Sequence, residues 1–60
     1  LHRDTAGTHT NTGAAYFGQG NYQMALQHYE LALAILLAIL GELHPETGHT
    51  LNCIANAHKN

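Results

Sequence analysis

Sixty residues make one small domain at most, with a modest core and marginal stability. Hydrophobic residues are 45% of the chain and charged residues only 10%, far below the roughly 25% of an ordinary globular protein, so surface is being hidden against something. A formal net charge of −2, with Arg3 and Lys59 as the only bases and at opposite ends, excludes a nucleic-acid reader and gives an anionic membrane nothing to attract.

The pattern predicts an all-α chain of three antiparallel helices, near 5–18, 21–40 and 45–58. The first is weak by its own propensity, because Gly7, Gly13 and threonines 5, 8, 10 and 12 all disfavour an isolated helix. It holds only by packing on a strong partner, and Gly13, Ala14 and Ala15 let two backbones approach closely. Thr12, in a core slot, needs a hydroxyl partner such as a backbone carbonyl one turn back. Gly18-Gln19-Gly20 then breaks the chain as a two-glycine turn should.

The second helix is apolar on two sides. At about 100° per residue, Tyr22, Ala25, Leu26, Tyr29, Ala32, Leu33, Leu36 and Leu40 share the expected packing face. Met24, Leu31, Ile35, Ala38 and Ile39 form a stripe on the opposite face, with His28 among them. Gln23, Gln27 and Glu30 hold the narrow polar strip. A helix apolar nearly all round must be buried on nearly all sides, which predicts either further units of a longer array or other copies of the chain. Self-association through the stripe is the favoured reading. Burying about 200 Å² there would contribute on the order of 5 kcal/mol before association costs.

Gly41 follows the last apolar residue, where a left-handed C-cap is expected, and Pro45 opens the third helix at a first-turn position. Asp4 and Glu46 sit in first turns, where they favour the helix dipole. The single Cys53 excludes an internal disulfide and reads as a small buried thiol.

Residues 43–60 overlay residues 1–18 at a shift of 42, with identities at Leu1/Leu43, His2/His44, Thr5/Thr47, Thr8/Thr50 and Ala15/Ala57. A period of this size points to stacked supersecondary units, here residues 1–42 as one helical hairpin with its linker and 43–60 as the first helix of the next.

Seven residues then fall into a known register. Gly13, Tyr16, Gly20, Tyr22, Ala25, Tyr29 and Ala32 follow the spacing of the tetratricopeptide repeat across both helices of one unit, and the chain resembles that family over essentially its whole length. The 42-residue spacing, the long second helix and His44-Pro45-Glu46-Thr47 look like the longer subclass found in kinesin light chains. His9, Thr12 and Arg3 depart from the family pattern, which predicts a first hairpin less stable than usual. The resemblance implies an α-solenoid scaffold that binds proteins or peptides on a concave face and needs no cofactor. It places Gly7, Thr10, Ala14 and Phe17 of the first helix, with His49, Asn52 and Asn56 of the third, on that face. The amides of Asn52 and Asn56, one turn apart, would grip an extended peptide backbone. The basic cluster that clamps a terminal carboxylate in some members is absent, which disfavours that ligand class.

Catalysis has no support. The four acids are scattered, no histidine-plus-carboxylate arrangement surrounds Cys53, and no phosphate loop exists. Six histidines invite a metal, but the pairs His44/His49 and His2/His9 are five and seven apart, not at zinc-ligand spacing, and no metal site is expected. Neither a signal peptide nor a membrane span is visible, and the resemblance favours a cytoplasmic setting.

Overall fold

A computed structural model describes residues 3–59, so the first copies of the repeated Leu-His pair, Leu1 and His2, lie outside the described residues. Three helices follow one another: α1 Arg3–Gly18, α2 Tyr22–Ile39 and α3 Pro45–Lys59. No strand occurs among the described residues. The Cα trace measures 29 × 19 × 13 Å. Within those dimensions three short helices must supply the whole core.

The punctuation works as its chemistry requires. Gly20 takes φ 82° and ends α1, with the Asn21 N–H reaching back to the Tyr16 carbonyl at 2.9 Å. Gly41 takes φ 84° after α2 and donates to the Leu36 carbonyl at 3.1 Å. Both conformations are left-handed, where a Cβ would be strained. Asn21 caps α2, its side-chain oxygen accepting from the Met24 N–H at 3.2 Å. Pro45 is the first residue of α3.

The threonines of α1 satisfy themselves within the helix. Thr8, Thr10 and Thr12 donate to the carbonyls of Asp4, Ala6 and Thr8 at 3.1, 3.0 and 2.9 Å. Each hydroxyl thus bonds one turn back, as the reading of Thr12 required.

α2 lies between its neighbours and packs on both. Near its C-terminal end, Ala32, Ile35 and Leu36 bury against Ala6 of α1, with Leu40 alongside. Near its N-terminal end, Ala25 and Tyr29 meet Ala57 of α3, flanked by Tyr16, Phe17, Leu26, Cys53 and Ile54. The closest approach is at Gly13, where a Cβ would stand 2.7 Å from the Tyr29 ring and 3.1 Å from the Ala25 carbonyl. Only glycine lets α1 come that near.

Two parts of the expected face division are corrected. His28, placed in the outward stripe, turns toward α1 and meets His9 and Tyr16. Ile35, assigned to the outward stripe, is 8% exposed and belongs to the core with Ala6, Ala32 and Leu36. A projection assumes one packing direction, whereas α2 has partners on two sides. Ala6 is small enough to bring α1 over Ile35 as well as over Leu36. Met24 is half-buried for its part, while Leu31, Ala38 and Ile39 stay exposed.

Candidate functional site

Two surfaces gather the residues singled out in the sequence. The first is a cleft of about 230 Å³ between α1 and α3, floored by buried Leu36. Gly7, Thr10 and Asn11 form one wall, and Glu46, His49 and Thr50 the other. Thr10 and His49 therefore line one cleft. The Thr10 hydroxyl already donates to Ala6, so it presents an acceptor rather than a free donor. Ala14, Asn52 and Asn56 are exposed but do not line this cleft. Phe17 turns toward α2 instead, meeting Tyr22 edge-on at 5.2 Å and packing against the Ala25–Tyr29 cluster.

The second surface is the outer side of α2. Gln23, Gln27 and Glu30 are exposed along its first half, and Leu31, Ala34, Leu37 and Ala38 along its second. Leu31 is 50% exposed, Leu37 43% and Ile39 41%, and on α3 Leu51 is 46% exposed. The projection of the second helix left Leu37 out of its stripe.

Two pairs of polar side chains come together that linear spacing did not flag. His9 and His28 face each other from α1 and α2, with their Nδ1 atoms 3.4 Å apart, and Tyr16 stacks on His28 at 5.6 Å. On α3, His49 Nε2 lies 3.8 Å from Cys53 Sγ, one helical turn away. That i, i+4 relation was legible in the sequence. Cys53 is half-buried and unpaired by disulfide. Burial, and then the adjacent Cys53 thiol, push the Tyr29 hydroxyl above the ordinary tyrosine value. Among the described residues no three histidine, cysteine or acidic side chains converge. No helix of the described residues is long and apolar enough to cross a membrane.

No buried side-chain polar atom among the described residues lacks a hydrogen-bond partner. The buried hydroxyls of Thr47 and Thr50 donate to Gly41 and Glu46 carbonyls at 2.8 and 3.0 Å. The interior is thus a packing device, and what the chain offers outward is surface. Comparison with known proteins agrees. No curated protein and no solved structure matches the chain. A family profile described as tetratricopeptide repeat matches residues 4–59, nearly the full length. Three helices joined by left-handed glycine turns, with small residues where they touch, are what that match requires, and the chain belongs to the tetratricopeptide repeat family of protein–protein interaction modules.

Proposed function

We propose that the chain is a non-catalytic self-assembly module whose copies associate through the outer side of α2 and the uncovered face of α3. The observation that carries this is the exposure of Leu31, Leu37, Ile39 and Leu51 on a chain with so few charges to keep such surface apart. The occupant is a second copy. Thr5, Thr8 and Ala15 are exposed on α1, yet the same residue types at 47, 50 and 57 are what α3 buries against α2. The outer face of α1 is thus chemically fit to receive another helix of α2's kind. We read residues 1–42 as one long repeat unit and 43–60 as the opening of the next. The open faces are those left where units meet.

Light scattering across a dilution series tests this. The wild-type mass should exceed that of a monomer and fall on dilution, and Leu31→Lys with Leu37→Lys should give a monomer with unchanged helical circular dichroism. Ile35 is spared in that variant because it is core. A wild-type mass that stays monomeric at every concentration overturns the proposal.

The cleft between α1 and α3 favours a second reading, an extended peptide lying on the concave face. Alanine at Thr10 and His49, which line that cleft, should then weaken capture of a peptide about tenfold, at roughly 0.5–1.5 kcal/mol per lost contact, without altering oligomeric mass. A changed mass would assign that face to subunit contact instead.

A further inference from the structure

We propose that His9 and His28 form a two-imidazole chelate for a first-row transition metal ion, Zn²⁺ or Ni²⁺, which clips α1 to α2. The separation of the two Nδ1 atoms is 3.4 Å. Two nitrogens held at about 2.0–2.1 Å on a tetrahedral ion such as Zn²⁺ stand about 3.3–3.4 Å apart, so the separation already matches. A rotation of the rings turns both lone pairs onto the ion. Imidazole suits both ions.

The two rings come from facing helices, 19 residues apart in sequence, and both are half-buried. Their centroids are 5.6 Å apart and their planes differ by 30°, so the rings meet edge to edge with nitrogen toward nitrogen. Tyr16 lies against His28 with 15° between planes, which restricts that ring's rotation. This fixing lowers the ordering cost that a flexible pair would meet on binding an ion. A hydrogen bond between the two nitrogens needs one donor and one acceptor. Binding instead requires both lone pairs, so the donating ring shifts its proton from Nδ1 to Nε2 and neither ring loses charge balance. With no third protein ligand gathered among the described residues, water completes the coordination sphere. The ion therefore binds less tightly than in a four-ligand structural site.

The rival location is His49 with Cys53, which offers a nitrogen and a sulfur on one helix. An ion there spans a single turn of α3 and does not connect two helices. That difference makes the sites separable. The full chain is melted by circular dichroism with and without Ni²⁺ or Zn²⁺, beside the variants His9→Gln, His28→Gln and His49→Gln. At ten times the dissociation constant the melting temperature should rise by about 5–10 °C in the wild type and in His49→Gln. The rise should vanish in His9→Gln and in His28→Gln. To separate metal loss from a loosened hairpin in either glutamine variant, the wild type is also titrated with Ni²⁺ by nuclear magnetic resonance. The ring protons of His9 and His28 should broaden before those of His44, His49 and His58. Light scattering should show no metal-dependent gain in mass. Broadening centred on His49, a thermal shift retained without His9 or His28, a mass that grows with metal, or no metal response would each overturn the proposal.

Discussion

α1 and α3 are related by the 42-residue shift, yet they turn different sides to α2. In α1 the covered residues are Ala6 and Gly13, with His9 and Tyr16 half-covered; their counterparts in α3 are Gly48, Ala55, Leu51 and His58, of which the last three are exposed. In α3 the covered residues are Thr47, Thr50 and Ala57; their counterparts Thr5, Thr8 and Ala15 are exposed in α1. These three pairs are also identical in sequence. One kind of helix thus carries two packing faces, and α2 takes the first from α1 and the second from α3. Each flanking helix keeps the face its counterpart uses. A threonine face on α1 does not mark a solvated surface, since the same face on α3 is core.

The comparison breaks most visibly at its tightest point. Gly13→Leu should drive a side chain into the Tyr29 ring and the Ala25 backbone, costing about 3 kcal/mol, enough to abolish a cooperative urea transition in so small a chain. Ala55→Leu, at the equivalent position of α3, should leave stability within about 0.5 kcal/mol, because that face is bare. Equal losses would mean that α3 uses the same face as α1.

A smaller effect is expected on the other face. Thr47→Val removes a buried hydroxyl that donates to the Gly41 carbonyl and should cost about 1–2 kcal/mol by urea unfolding. Thr5→Val, on the exposed side of α1, should change little. The difference between the two identical residues measures what the second face contributes.

Smallest is the response at Tyr29, which touches both partners. Its ring lies beside Gly13 and its hydroxyl is perturbed by Cys53. Folding raises its proton affinity, so the contribution is complete below the unfolded value of about 10 and is lost as pH rises through the higher folded value. Stability measured by denaturant should decline above about pH 10, and Tyr29→Phe should flatten that part of the decline.

Helix limits were legible because the signals that set them are local. Gly20, Gly41 and Pro45 act through their own backbone angles, whatever else the chain does. The register of Gly13, Ala25 and Tyr29 was legible because close approach permits few residue types. Ile35 was not, since its burial depends on how α1 leans over α2 at Ala6, a tertiary matter. His9 was read as a departure from the family pattern and His28 as part of the outward stripe, and only their placement on facing turns makes them a pair. The cleft depends on the relative position of α1 and α3, which no spacing within either helix specifies. Phe17 suited the concave face by register alone and was drawn inward by Tyr22.

The central position of α2 also sets the order in which structure can grow. Each of its interfaces closes over a short connection, residues 19–21 on one side and 40–44 on the other, so loop closure costs little and contacts are local. α2 carries its own cap and favourable propensities, whereas α1 holds glycines and threonines that form a helix only against it. Folding is therefore expected to start on α2, with α1 becoming helical as it docks there. In hydrogen exchange, the amides of α2, covered from both sides, should be the last to open.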